Sequence, residues 1–447
     1  MKISIIGTGY VGLVTGACLS LFSKNFVTCI DRRKDRIEPI KKERKAPFFE
    51  KGLDSVIKKG FKNKRFDASL DITKVVYDSD VTFVAVGTPN VGKDIDLNQI
   101  KEAAISIGNA IKNKKSFHVV VVKSTVEPGT TEGLVKKTID SIIVKKENIG
   151  YCMNPEFLRQ GYAVNDFLNP DRIILGCDSD RTKIIMKKIY SKLNVPFFHT
   201  NIINAELAKY ASNVFLANTI SFSNEISNIC EKTKNSDVSI VLDTLSYDRR
   251  LSPRRNKTII RPEILSYLKA GIGFGGSCLP KDILALKNFA KKKRVQTPLI
   301  DSIIGINKNR PTNFIKNIEK IVGKLENKKI AIIGLSFKPE TDDLRDSPSI
   351  QILEYLIKLK AEIFTWDPIV KKSDLPKNIQ EKVKHSSKLK VVCKNKDCLL
   401  IAHASDYLKN FEWKEIGSTI IFDGRNILKG LKLSDNIIYY PLGKNKD

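Results

Sequence analysis

Histidine, tryptophan and methionine are scarce in this chain: four His, two Trp and three Met in 447 residues. The eight cysteines, at 18, 29, 152, 177, 230, 278, 393 and 398, contain no CxxC pair. With so few imidazoles beside them, they form no zinc motif of the usual spacing. They are too sparse for a disulfide scaffold, which fits a reducing, cytoplasmic setting. No run approaches about 18 uninterrupted apolar residues, which argues against a transmembrane helix. Met1 to Ile6 could open a signal peptide, but Gly7, Gly9 and Gly12 interrupt the apolar segment early. Acids are also short, with 49 Asp and Glu against 77 Lys and Arg, a net charge of +28. Such an excess favours anionic partners, nucleic acid, acidic membrane surfaces or phosphorylated small molecules among them. The basic residues are spread along a chain rich in Lys, Asn and Ile. No basic stripe with interleaved aromatics and no recognition motif points to nucleic acid.

What is present is a globular composition, 42% hydrophobic and 28% charged, which excludes wholesale disorder. At about 100–200 residues per domain the length predicts two to four domains. A short apolar run at 2–6 meets a Gly-rich turn, a helical pattern follows at 13–22, and a second strand is expected at 26–31, which together make a βαβ unit. Further strands are predicted at 81–86 and 118–122. Such continuous apolar runs alternating with amphipathic helices predict a parallel sheet covered on both faces. The longest helical signal spans 203–235. Residues 252–262 read as a basic, Pro-bounded loop, and helical patterns resume at 281–291 and 298–324. From Lys329 the strand-then-Gly entry recurs, followed by a helix at 348–360, a strand ending at Trp366 and Asp367, and strands at 398–402 and 419–422. The expected architecture is α/β: two Rossmann-like doubly wound parallel-sheet domains joined by a helical central domain with a long spine helix. The boundaries fall at 1–200, 201–325 and 326–447.

Several motifs carry chemistry. Gly7-Thr8-Gly9-Tyr10-Val11-Gly12 follows a strand and opens a helix, and Asp31 ends the next strand. Gly7 permits the tight turn, Gly9 a close approach of backbone to a pyrophosphate, and Gly12 helix–strand packing. The helix N-terminus offers N–H groups to phosphate. The Asp31 carboxylate can accept ribose hydroxyls and would repel a 2′-phosphate, favouring NAD over NADP. A second motif, residues 271–282, places four glycines in six residues ahead of Cys278, with Lys281 and Asp282 behind it. Glycines there suit a backbone wrapped around a ligand, and a thiol beside cations can act as a thiolate nucleophile. Glu156, in Asn154-Pro155-Glu156, lies where a sheet's carboxyl edge binds ligands. Lys209 and Asn213 share a helix face, and Glu206 is spaced to pair with Lys209. Gly334 opens a turn without a full GxGxxG, so the second lobe is not expected to bind a dinucleotide conventionally. Arg425, in Asp423-Gly424-Arg425-Asn426, could grip a phosphate.

These motifs, with VGTP at 86–89, KSTVEPGT at 123–130, NPEFLRQG at 154–161, ELAKYASN at 206–213, GFGGSCLPKD at 273–282 and FKPETDDLRDSP at 337–348, occur in one order. In that order, from residue 2 to about 426, the chain resembles the UDP-glucose/GDP-mannose dehydrogenase family. The GGSC and DGRN segments are most similar to members acting on UDP-glucose. Members acting on N-acetylated sugars more often carry His where this chain has Ser277. Residues 249–262 also resemble members acting on GDP-mannose.

The resemblance implies a cytoplasmic homodimer that oxidises a sugar-nucleotide C6 alcohol to a carboxylate with two NAD+ and one water, supplying polysaccharide synthesis. Neither a metal, nucleic acid nor a membrane is implied. Cys278 would attack the intermediate aldehyde, and the thiohemiacetal would become a thioester that water hydrolyses. Lys209 would stabilise the oxyanion with Asn213 beside it. Asp282 would orient a water or Lys209, Glu156 would be the acid/base of hydrolysis, and Thr125 would lie near the nicotinamide. NAD contacts would fall on Gly7, Gly9, Tyr10, Val11, Gly12, Asp31, Arg36, Thr88, Thr125, Lys281 and Arg345. Substrate contacts would fall on Glu156, Phe157, Leu158, Arg159, Lys209, Asn213, Lys269, Gly273, Phe274, Gly275, Phe337, Lys338 and Arg425. An arginine preceding the Gly-rich loop is assigned to Arg250, with Arg249 and Arg261 as alternatives. Gln160 stands where many relatives have Glu, which leaves Glu156 as the acid/base candidate of its motif.

Overall fold

The computed structural model describes residues 1–22, 25–91, 94–256, 258–403 and 405–445. They form two compact units, residues 1–212 with 284–295, and residues 213–283 with 296–447.

In the first unit, the strands are β1 (Lys2–Ile6), β2 (Phe26–Ile30), β3 (Phe66–Ser69), β4 (Val81–Val84), β5 (His118–Val122), β6 (Ile149–Met153), β7 (Ile173–Cys177) and β8 (Phe197–Thr200). They form one sheet in the order β8-β7-β6-β5-β4-β1-β2-β3. Strands β1 to β6 pair in parallel. The expected parallel sheet therefore carries an edge that was not foreseen: β7 runs antiparallel to β6, and β8 follows β7 in parallel. The valine run of β5 shows why these strands lack alternation. Val119 and Val121 enter the core on one face, Val120 and Val122 the core on the other, and all four are fully buried. The order reverses between β1 and β4, the crevice where open α/β sheets receive ligands. Helix α1 (Tyr10–Leu19) starts at the Gly-rich turn, three residues before the expected 13.

The second unit repeats this plan. Strands β9 (Lys329–Ile333), β10 (Glu362–Trp366), β11 (Val383–His385), β12 (Cys398–Ile401), β13 (Thr419–Asp423) and β14 (Ile437–Pro441) form a wholly parallel sheet, ordered β11-β10-β9-β12-β13-β14. Ile330 and Ile332 of β9 face one core, Ala331 and Ile333 the other.

The spine helix α2 (Ile202–Cys230) ends five residues before the expected 235. The segment from Glu231 to Asn235 offers no apolar position to bury, and Asn235 adopts a left-handed φ of 59°. Helix α3 (Leu279–Lys292) begins directly after Cys278, and α4 (Pro298–Val322) follows. The expected loop at 252–262 contains a small antiparallel ribbon, Arg254–Arg255 against Thr258–Ile259.

Candidate active site

In the first unit the Gly-rich turn has the shape of a phosphate cradle. Gly7 has φ +100°, and a Cβ there would lie 2.6 Å from the Ala85 carbonyl oxygen. A Cβ on Gly12 would fall 2.0 Å from the Gly7 oxygen, so helix and turn pack backbone on backbone. The space before Gly9 is open apart from an Arg36 nitrogen at 3.7 Å. No side chain caps α1 and no acid occupies its first turn, so its leading N–H groups and positive end face outward. Asp31 Oδ2 accepts the Thr8 amide at 2.9 Å and the Thr8 hydroxyl at 2.8 Å, which locks the acid to the turn. Arg36 donates to the Thr8 carbonyl, and Tyr10 packs on Phe48. An anionic dinucleotide fits this donor set. At the neighbouring strand ends, the Thr88 hydroxyl donates to the Thr125 carbonyl at 2.8 Å.

The carboxyl end of β6 carries a buried ion pair. Lys209 Nζ donates to Glu156 Oε1 at 2.8 Å and to the Glu156 carbonyl at 2.7 Å. Glu156 Oε2 accepts the Leu158 amide at 2.7 Å. Burial alone would raise the Glu156 carboxyl. The Lys209 charge and hydrogen bond, the Leu158 amide and the charge of Lys123 outweigh it and hold it below its usual range. The expected Glu206–Lys209 pair is not formed. Glu206 instead accepts the Gly129 and Thr131 amides and the Thr131 hydroxyl, the open donors where the segment Thr131–Lys136 begins to coil. Of the neighbouring candidates, Phe157 lies near the Lys209 ammonium. Arg159 is exposed and paired to Asp166 at 2.8 Å.

In the second unit, four side chains clamp the Gly-rich loop by its backbone. Asn224 accepts the Gly271 amide, and Arg310 donates to the Gly271 carbonyl at 2.7 Å. Asn307 takes both the amide and the carbonyl of Phe274. Arg425 donates to the Gly273 and Ala402 carbonyls at 3.0 Å each, so the suspected phosphate grip supports this loop. Burial pulls the Arg425 guanidinium down to about 10, with the charge of Arg310 adding to it.

The loop ends on the 337–347 segment. Gly276 has φ +88°, and a Cβ there would meet the Phe337 ring at 2.8 Å. The Gly276 amide donates to the Arg345 carbonyl at 2.8 Å. Cys278 is the exposed one of the eight cysteines, at the start of α3. Arg345 donates to both Asp343 oxygens, at 2.9 and 2.7 Å, and this hydrogen bond, opposed by burial, holds the guanidinium charged. Lys281, three residues behind the cysteine, pairs with Asp282 at 2.7 Å. Asp282 also accepts from Asn213 Nδ2 at 2.6 Å. Lys338 lies over the Phe337 ring. Lys269, Arg249 and Arg250 are exposed, with Arg250 held by Asp248, and Arg261 stacks on Tyr247.

The second sheet's own Gly turn differs from the first. Asp367 takes the place of Asp31, accepting the Leu335 and Ser336 amides. It is buried, and the His403 ring, 3.1 Å from Asp367, lies against Gly334 where a dinucleotide would approach. Among the described residues no cluster of three metal-ligating side chains occurs, and no helix is long and apolar enough to cross a membrane.

An open phosphate cradle in one sheet, a closed one in the other and an exposed cysteine on a clamped loop define a dinucleotide-dependent oxidoreductase. Comparison with known proteins narrows the class. Residues 1–194 match the NAD binding domain of the UDP-glucose/GDP-mannose dehydrogenase family, residues 203–309 its central domain, and residues 331–430 its UDP binding domain. The UDP-glucose 6-dehydrogenase YwqF of Bacillus subtilis is 36% identical, over 99% of this chain and 98% of that protein. The solved UDP-glucose dehydrogenase of Pyrobaculum islandicum is 30% identical with a TM-score of 0.89, over 99% and 98% of the two chains. A GDP-mannose dehydrogenase structure from Pseudomonas aeruginosa is 31% identical with a TM-score of 0.55, over 98% and 99%. The chain belongs to the UDP-glucose/GDP-mannose dehydrogenase family. It is an NAD-dependent oxidoreductase that acts on nucleotide sugars at C6.

Proposed function

We propose that the chain oxidises UDP-glucose to UDP-glucuronate through a covalent adduct on Cys278. The observation that carries this reading is the setting of Cys278. It is an exposed thiol at the end of a clamped glycine loop and at the positive end of α3. An anionic sulfur is favoured in such a place. The sugar is assigned from the relatives named as UDP-glucose dehydrogenases.

Gly7, Gly9, Gly12, Asp31 and Arg36 would hold the dinucleotide, with Tyr10, Val11, Thr88, Thr125, Lys281 and Arg345 contributing. When bound, NAD+ supplies the hydride acceptor for both oxidations. The sulfur of Cys278 adds to the C6 aldehyde and gives a thiohemiacetal. Oxidation of that adduct gives a thioester, and water displaces the sulfur to leave the carboxylate. Lys209 and Asn213 donate to the C6 oxygen as charge grows on it. Asp282 fixes the Asn213 amide by accepting from it. Glu156 takes the proton of the attacking water. Phe337, Lys338 and Lys269 are assigned to the nucleotide. Arg425 is assigned to keeping the loop that receives it in shape.

A homodimer belongs to the same reading. Phe215, Phe222 and Ile229 recur every seven residues along α2 and are 59%, 41% and 58% exposed, an apolar stripe suited to self-association. A second substrate reading, GDP-mannose, draws on the Pseudomonas aeruginosa structure.

The test is NADH formed per sugar nucleotide with the sugar limiting. UDP-glucose, GDP-mannose and UDP-N-acetylglucosamine are run in parallel. Two NADH from UDP-glucose alone is the expected result. Two from another donor moves the substrate, and one from any donor removes the thioester.

A further inference from the structure

Lys123 lies at the carboxyl end of β5, two residues before Thr125, and none of the chemistry above uses it. We propose that Lys123 is a positioning residue for Glu156, its buried ammonium fixing the Asn154-Pro155 turn and standing as a second cation beside the carboxylate. The proposal rests on the reading in which Glu156 is the acid/base of hydrolysis.

The geometry is specific. Three successive carbonyl oxygens turn toward ammonium groups. Lys123 Nζ donates to the Asn154 carbonyl at 3.3 Å and the Pro155 carbonyl at 3.4 Å, while Lys209 takes the Glu156 carbonyl. Lys123 also donates to Asn154 Oδ1 at 3.1 Å, an oxygen that the Tyr190 hydroxyl reaches at 2.6 Å. The Asn154 amide donates in turn to the Ile174 carbonyl. The turn before Glu156 is therefore held by β5, β7 and the Tyr190 hydroxyl together.

A buried ammonium is costly, and an apolar side chain would fill the same space more cheaply. Lys123 is 5% exposed, and its charge is retained beside a pair that is already neutral overall. With all three groups ionised, the cluster of Lys123, Glu156 and Lys209 carries one positive charge in excess. When Lys209 turns to the substrate oxygen, Lys123 still favours an ionised Glu156. The other groups facing Glu156 are Tyr10 from α1, whose hydroxyl burial and nearby carboxylates keep protonated, and the Leu158 amide. Cys152 of β6, its thiol raised by burial, faces Lys123. Burial draws the Lys123 ammonium down to about 8, against the pull of Glu156.

The experiment compares full-length Lys123→Met, Lys123→Arg and Glu156→Gln. The readouts are kcat and KM for UDP-glucose across about pH 5 to 9 and the mass of the acid-quenched enzyme during turnover. In Lys123→Met the acid limb of kcat is expected to move up by roughly one pH unit. Its kcat is expected to fall roughly tenfold with KM little changed, and the Cys278 adduct to accumulate. Lys123→Arg is expected to restore the acid limb, because the guanidinium keeps a cation beside the carboxylate. A merely structural Lys123 would lower activity with folded fraction and leave the acid limb and the adduct level where they were, which overturns the proposal. If Lys123→Met fails to fold, Lys123→Gln, which keeps a donor without the charge, takes its place, and an unmoved acid limb in it overturns the proposal. Wild-type turnover in Glu156→Gln instead removes the reading of Glu156 itself.

Discussion

Lys209 Nζ holds Glu156 twice, at its carboxylate and at its own carbonyl, with both side chains about 95% out of water. The residue that the helix spacing offered to Lys209, Glu206, lies one turn away and serves another element. A buried pair of this kind is asymmetric: removing one partner strands the other.

The first prediction follows from that asymmetry. Lys209→Met leaves the Glu156 carboxylate buried beside Lys123 alone and is expected to cost about 3–5 kcal/mol. Adding Glu156→Gln is expected to return a large part of the loss, because the stranded charge is gone. Urea unfolding of the two single variants and the double variant measures the coupling. Additive losses would mean that the two side chains do not interact in solution.

The cysteines differ sharply in environment. Burial pushes the thiols of Cys393 and Cys398 up to about 12 and those of Cys18 and Cys29 higher still, and it raises that of Cys152 as well. Only Cys278 is exposed. Iodoacetamide in the folded state is therefore expected to alkylate Cys278 first, at one equivalent, and peptide mass mapping reads the site. Cys278→Ser is expected to abolish the fast phase. Equal labelling of Cys177, which is half-buried, would contradict the assignment of a single reactive thiol.

Much of this was legible in the residues. The valine run of β5 and the Gly-Thr-Gly turn of β1 are local signals, set by burial on two faces and by the space around a turn. The exposed Cys278 stands out because four glycines precede it. What stayed hidden depends on contacts distant in sequence. Arg310, Asn224 and Asn307 clamp the glycine loop from 33 to 47 residues away, and nothing in their own neighbourhoods signals it. Lys123 sits inside a recognised motif, yet its partners, Asn154 and Pro155, lie 31 and 32 residues on. The Glu206–Lys209 expectation failed because helical spacing says which residues could meet, whereas burial decided which did.

Gly276 tests the packing of the cysteine loop. Its φ of +88° disfavours a side chain, and the new Cβ would press on the Phe337 ring at 2.8 Å. Gly276→Ala is expected to cost about 1–3 kcal/mol and to lower turnover more than its effect on folding explains, since Cys278 follows two residues later. Phe337→Ala in the same background is expected to relieve the contact and leave the backbone strain. Thermal unfolding and turnover of the two variants and the wild type separate the two contributions. Unchanged unfolding in Gly276→Ala would show that the loop is not clamped as described.

The last prediction concerns the closed turn of the second sheet. Asp367 is buried, which alone would raise its carboxyl. The His403 hydrogen bond and charge, with the Leu335 and Val370 amides, reverse this and hold it at about 2. A carboxyl lowered in the folded state binds its proton more readily when unfolded. Its contribution is therefore complete above about pH 4 and is lost as the pH falls toward about 2. The size follows from the shift, from 3.8 to about 2, or about 2 kcal/mol. Asp367→Asn removes this titration and keeps the side chain's shape, although one oxygen becomes an amide facing backbone donors. Measured as urea midpoints at several acidic pH values, the difference between wild type and variant is expected to shrink steadily as pH falls from about 4 to about 2. Other carboxyls titrate in both proteins and cancel in that difference. A constant gap across the window would mean that Asp367 is not held ionised by His403 and the turn.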